Sequence, residues 1–166
     1  MLKIAYSASE LDFDQLCQVY EQSCTETGAL EYPDLSANER LLSAFQDLYG
    51  QVRCFYRIKN AFYAVWIEGG RYVSALRIEP YKDGFLLTGL ETAPEVRGKG
   101  YATSLTGAVL SELAKKGSVS VYSHVGKRNT SSVAVHKACG FQKHLDHAVY
   151  LDGSVSTDAY TLKITV

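Results

Sequence analysis

A chain of 166 residues, 46% hydrophobic and 21% charged, has the length and apolar content for one domain spanning 1–166 with its own core. A net charge of -1 gives no electrostatic case for nucleic acid or for an anionic membrane, and no run of about 18 apolar residues is present to cross one. The four cysteines, Cys17, Cys24, Cys54 and Cys139, form neither a C-x-x-C pair nor a cluster with histidine, which argues against a metal site or disulfide frame and for reduced thiols in the cytoplasm.

The start, Met1 to Tyr6, lacks a signal peptide's apolar stretch, and Leu2 to Tyr6 is predicted as a first strand. Leu11, Leu16, Val19 and Tyr20 give a helical stripe that fades after Cys24, and Cys17 and Cys24 read as core thiols on that helix. Thr25 to Leu35, with Gly28 and Pro33, is expected to be a loop. Ser36-Ala37-Asn38-Glu39 is a capping box, opening a helix that carries Leu41, Leu42, Phe45 and Leu48. That helix either stops at Gly50 or continues through Val52 to Ile58. From Ala61 the pattern becomes strands: Phe62 to Ile67, a Gly69-Gly70 turn, Tyr72 to Ile78, a turn at Lys82-Asp83-Gly84, then Phe85 to Leu90.

The most informative segment follows that meander. Glu95-Val96-Arg97-Gly98-Lys99-Gly100-Tyr101-Ala102 lies between an apolar strand and a helical pattern at Leu105, Val109 and Leu113. Glycines permit positive φ and close approach of backbone N–H groups, and the helix adds unpaired first-turn N–H groups with partial positive charge. Such a loop suits a pyrophosphate. It is no Walker A loop, because no Gly-Lys-Ser/Thr closes it, and Thr103 stands where the dinucleotide fingerprint has its third glycine. The helix is expected to end at Lys115-Lys116-Gly117. Val119 to Val125 is the next strand. Asn129 then caps a helix in which positions 129, 132 and 136 share a face, and Gly140 suits its left-handed end. Phe141 to Tyr150 and Ala159 to Thr165 read as a last strand pair around Asp152-Gly153.

Arg97-x-x-Gly100-x-Ala102, preceded by Leu90-Glu91-Thr92-Ala93-Pro94, resembles motif A of the GNAT superfamily of acyl-CoA-dependent N-acyltransferases. Asn129, Ser132, Gly140 and Phe141 match motif B of the same superfamily, in the right order and at a plausible separation. The resemblance implies an α/β (α+β mixed) domain, with a central mixed sheet of about six to seven strands flanked by about four helices. It implies acetyl-CoA as co-substrate, no metal, and transfer of an acetyl group to a primary amine by direct attack in a ternary complex. The loop residues Arg97, Gly98, Lys99, Gly100, Tyr101, Ala102 and Thr103 would hold the pyrophosphate. The backbone of Leu90, Glu91 and Thr92 would hold the acetyl carbonyl and the pantetheine arm, with Asn129, Ser132 and His136 as further cofactor-binding residues, His136 at the position that lies by the coenzyme sulfur in many family members.

His136 departs from the family pattern, which usually has tyrosine there. With an ordinary pKa of about 6.5 it could protonate the leaving thiolate, or it could simply pack on the cofactor. Glu91 is the candidate for removing the amine proton; the competing view is that it attracts a cationic acceptor or pairs with Arg97 or Arg77. His124 is a further possible base, with a core or surface role as the plainer account, while His144 and His147 suggest only a half-exposed face.

A small-molecule amine, a peptide N-terminus and a protein lysine all stay open as the acceptor, and so does a homodimer. Tyr20, Tyr32, Tyr49, Phe55 and Tyr56, with Glu21, Glu26, Glu31 and Asp34, would suit a cationic amine, or would be core aromatics and a solvated acidic face. The alternative to an enzyme is a catalytically silent acyl-CoA-binding protein acting as a sensor or partner subunit.

Overall fold

The computed structural model of the chain describes residues 1–115 and 117–166. Among the described residues nine strands are formed: β1 Leu2–Ala5, β2 Phe62–Glu68, β3 Arg71–Tyr81, β4 Gly84–Thr92, β5 Ser120–Gly126, β6 Gln142–Leu145, β7 Ala148–Val149, β8 Val155–Ser156 and β9 Ala159–Thr165. Seven of them make one sheet in the order β1-β2-β3-β4-β5-β9-β6, while β7 and β8 pair separately. Strands β4 and β5 run parallel, and the other neighbours run antiparallel. Successive side chains of a strand point to opposite faces, so Tyr63 and Val65 enter one core and Phe62 and Ala64 the other.

The first face is covered by α1 Phe13–Val19, α2 Glu21–Glu31 and α3 Ala37–Phe55, which contribute Leu16, Val19, Cys24, Leu48, Val52 and Phe55. The second is covered by α4 Tyr101–Ala114 and α5 Thr130–Ala138, with Leu105, Val109 and Leu113 packed on Leu76, Ile78 and Val121. Each fully buried leucine of this kind contributes roughly 1.5–3 kcal/mol relative to an exposed one.

Helix α3 opens on the expected capping box, in which Ser36 and Glu39 each satisfy the other's backbone N–H. It runs straight through Gly50 to Phe55, because Ala44, Leu48, Val52 and Phe55 keep one buried face at helical spacing. The expected loop at Thr25 to Leu35 is corrected: Thr25 to Glu31 belongs to α2. Gly28 there is no turn residue. A Cβ at that position would lie 2.7 Å from the Arg40 carbonyl oxygen, so glycine is what lets α2 cross α3 closely. The expected strand from Phe141 to Tyr150 is also corrected to two short ones, β6 and β7, separated at Asp146 and His147. Asp146 is drawn to Lys127 and Lys143, and the His147 carbonyl accepts from the Thr161 hydroxyl. Helix α4 ends at Ala114, and Lys116 in the expected Lys115-Lys116-Gly117 stop lies outside the described residues.

Candidate active site

Parallel pairing of β4 with β5 extends from Gly84 opposite Ser120 to Leu87 opposite Ser123, and then stops. Beyond it Thr88–Thr92 and His124–Gly126 separate into a fork. A bulge in β4 opens that fork: Arg77 pairs with Thr88 and Ala75 with Glu91, which leaves Gly89 and Leu90 both opposite Leu76. Gly89 takes φ +58°, a value that favours glycine. Its carbonyl accepts from the Tyr20 hydroxyl at 2.6 Å, and the Glu91 carbonyl accepts from Ser74 at 2.5 Å. The bulged backbone is therefore held from both sides while its β5-facing edge has no strand partner.

The glycine loop closes one end of the fork. Gly98 and Gly100 both adopt left-handed φ, +76° and +81°, and each would leave an added Cβ in open space, so conformation sets the need for glycine. The first backward helical bond of α4 is from Ser104 N–H to the Gly100 carbonyl at 2.9 Å. The N–H groups of Tyr101, Ala102 and Thr103 precede it and have no helical acceptor. On the other wall Asn129 caps α5, its side-chain oxygen accepting from Ser132 N–H at 3.0 Å.

Between these walls lies a cavity of about 640 Å³. Of the residues predicted from sequence, Leu90, Glu91, Thr92, Arg97, Gly98, Gly100, Tyr101, Ala102, Thr103, Asn129 and Ser132 line it. Gln22 and Ser23 of α2, with Ser131 and Val135 of α5, complete the wall without having been legible, and Glu26 of α2, expected on the acceptor side, also lines it. A second cavity of about 180 Å³ lies between α2, α3 and β3–β4, and Ser23 and Glu91 border both spaces.

Glu91 is the titratable group at that junction. Burial pushes its carboxyl above the ordinary range, and Ser23 and Arg97 beside it pull part of the way back. The Arg97 guanidinium stands 3.9 Å from the Glu91 carboxylate, donates through Nε to the Thr92 carbonyl at 3.0 Å, and also bonds Gln22. With both ion-pair partners partly exposed, the pair contributes little to stability, and its consequence is where it holds Arg97.

Lys99 and His136 are not on the cavity wall. Lys99 is exposed. His136 is 1% exposed, with Phe141 edge-on at 5.0 Å and Nδ1 2.8 Å from the Ser132 carbonyl. A carbonyl only accepts, so the proton sits on Nδ1, and Nε2 is buried without a partner. Burial lowers its pKa below the ordinary histidine value.

His124 meets Thr161 at 3.2 Å and the rings of Tyr81 and Tyr150, and His144 lies edge-on to Tyr122, all away from both cavities. Among the acceptor-side aromatics and acids Tyr20 and Glu26 line these two cavities and Phe55 does not; Tyr32 donates to Asp47, and Tyr56 donates to the Ala5 carbonyl. Cys17 and Cys24 are core thiols, pushed by burial to about 12 and about 11. Among the described residues no helix is long and apolar enough to cross a membrane.

The family model described as the acetyltransferase (GNAT) family matches residues 16–141. The chain belongs to that family. No curated protein sequence matches it significantly. Solved GNAT structures share the fold at low identity. PaiA N-acetyltransferase from Thermoplasma acidophilum, in complex with coenzyme A, is 13% identical with a TM-score of 0.67, covering 100% of this chain and 99% of that one. Ribosomal-protein-alanine N-acetyltransferase from Brucella melitensis is 19% identical with a TM-score of 0.64, covering 100% and 99%. Aminoglycoside 6'-acetyltransferase type Ii is 15% identical with a TM-score of 0.63, covering 99% and 96%.

Proposed function

We propose that this GNAT chain transfers an acetyl group from acetyl-CoA to a primary amine by direct attack in a ternary complex. The observation that carries this reading is the meeting of the two cavities at Glu91 and Ser23. The larger space has the donors a coenzyme needs: backbone N–H groups at Gly98 and Gly100 and the first turn of α4 for a pyrophosphate, and the unpaired edge of Leu90–Thr92 for an amide-bearing arm. Asn129 and Ser132 bound it from the other side.

When bound, acetyl-CoA supplies a thioester whose C–S bond breaks as the amine N–C bond forms, the thiol taking up one proton and the ammonium giving up two. Glu91 accepts the first of these protons, directly or through one water, because an ammonium with pKa near 10 has no lone pair for attack. Its burial raises its basicity, which suits that task. Backbone N–H groups of Leu90–Thr92 stabilise charge developing on the acetyl oxygen. Arg97 offsets the Glu91 charge and fixes the end of β4 through Thr92. His136 is assigned a positioning role: neutral and enclosed, it holds the Ser132 carbonyl and with it the first turn of α5.

The test is release of free thiol from acetyl-CoA with a panel of amines, amino acids and short peptides. Acceptor-dependent release with intersecting initial-velocity lines is expected. Parallel lines would overturn direct attack, and no release with any acceptor would overturn acetyl transfer.

A further inference from the structure

Arg77 lines the smaller cavity from β3, and nothing in the proposed transfer uses it. Its guanidinium packs against the β4 bulge, so that a Cβ on Gly89 would come within 2.8 Å of Nε and 3.1 Å of Nη2. The Phe55 ring centroid is 5.8 Å from Cζ, and Tyr63, itself buried, borders the same space. Nε is buried and has no acceptor. Among the described residues no carboxylate forms an ion pair with this guanidinium within 4.0 Å; Glu79, on the same face of β3, is near enough for Arg77 to lower its carboxyl pKa but does not reach that distance. A partly enclosed cation with an orphaned N–H is costly unless an anion or another acceptor arrives to satisfy it.

From this geometry we infer that the acceptor is a small amine that also bears a carboxylate, with the carboxylate taken by Arg77 and the amine directed to Glu91. The inference rests on the acetyltransferase reading above and narrows its substrate class. Arg77 and Glu91 border one cavity of about 180 Å³, a few times the roughly 30 Å³ share of one water, which admits an amino acid rather than a large polycation. The charges match end to end: Glu91 stands where this space meets the coenzyme cavity, and Arg77 borders the small cavity but not the large one. Asp47, held by the Tyr32 hydroxyl, adds a second negative charge to the wall and favours an acceptor with further cationic character. A planar guanidinium binds a carboxylate through two parallel N–H bonds, a geometry that an uncharged carboxamide satisfies poorly.

The experiment compares amino acids with their carboxamides and with the corresponding decarboxylated amines, following free thiol with the wild-type protein. Amino acids are expected to have kcat/KM about tenfold or more above their carboxamides, the size of one lost charge-assisted contact. Arg77→Gln and Arg77→Lys should collapse that ratio toward one, mainly through KM, with acetyl-CoA affinity by calorimetry serving as the check that each variant is folded. Carboxamides or simple amines used as well as amino acids by the wild type would overturn the carboxylate inference while leaving acetyl transfer intact. Turnover with short peptides alone would overturn this inference and keep acetyl transfer, whereas absence of turnover with every acceptor would overturn the acetyltransferase reading and this inference with it.

Discussion

The Tyr20 hydroxyl donates to the Gly89 carbonyl at 2.6 Å, and this one bond ties the junction of α1 and α2 to the bulge that opens β4 from β5. Tyr20 is buried, and burial holds its phenol far above the usual range, so it stays a donor throughout the working pH range. The helices that border the smaller cavity and the bulged backbone that borders the larger one are therefore joined directly by this bond.

Tyr20→Phe leaves the Gly89 carbonyl without that donor in a buried setting. A loss of about 1–3 kcal/mol in urea unfolding is expected. It should be accompanied by a raised KM for the amine more than for acetyl-CoA. An unchanged unfolding midpoint would show that the bond carries no weight.

Gly89→Ala combines two penalties. An alanine at φ +58° costs about 1–2 kcal/mol, and its Cβ would displace the Arg77 guanidinium from 2.8 Å. Gly100→Ala has φ +81° and open space, so it meets the conformational penalty alone. Thermal melts should therefore rank Gly89→Ala as the less stable of the two variants. The reverse ranking would remove the argument for Arg77 packing on the bulge.

Much of this architecture was legible in the sequence. The capping box at Ser36, the meander from Phe62 to Thr92 and the glycine loop each follow from local chemistry that tertiary contacts reinforce. Two features were not legible, for the same reason. Gly28 looked like a turn and is a close-packing contact with Arg40, and Gly89 sat unnoticed in an apolar strand where it makes the bulge. A glycine does not announce whether it is needed for its torsion or for its missing side chain. Of the site, the motif residues other than Lys99 and His136 line the cavity as expected, whereas Gln22, Ser23 and Asp47 were not legible and Arg77 was expected only as a partner for Glu91, since these side chains come together only when α2 and α3 cross the sheet.

Glu91→Gln should lower kcat by about 100-fold or more, the usual scale for a general base, and should abolish the acidic limb of the pH–rate profile. In the wild type that limb should lie above the ordinary carboxylate range, because burial raises the Glu91 pKa. Arg97→Gln removes a cation that lowers this pKa, so the limb should move to higher pH. A limb that stays in place in both variants would exclude Glu91 as the base.

Stability should respond to pH with opposite signs at two residues. Glu91 has a folded pKa above its unfolded value, so its contribution is present below about pH 4.5 and is lost as pH rises through the folded pKa. Glu91→Gln should accordingly gain melting temperature relative to wild type at neutral pH and lose that advantage in acid. His136 has a folded pKa below 6.5, so its contribution is present above that value and fades as pH falls through it. His136→Phe lacks this term, and its melting temperature relative to wild type should rise between about pH 7 and about pH 5. A constant difference across that interval would mean that His136 is not held neutral by burial.

Titration of acetyl-CoA into isotopically labelled protein, read by backbone amide shifts, tests the assignment of the larger cavity most directly. The expected shifts cluster at Gly98, at Gly100 to Thr103, at Leu90 to Thr92 and at Asn129 to Ser132, and the loop shifts weaken in Gly100→Ala. Shifts confined to other surfaces, or none at saturating acetyl-CoA, would contradict coenzyme binding in the fork and the acetyl transfer that depends on it.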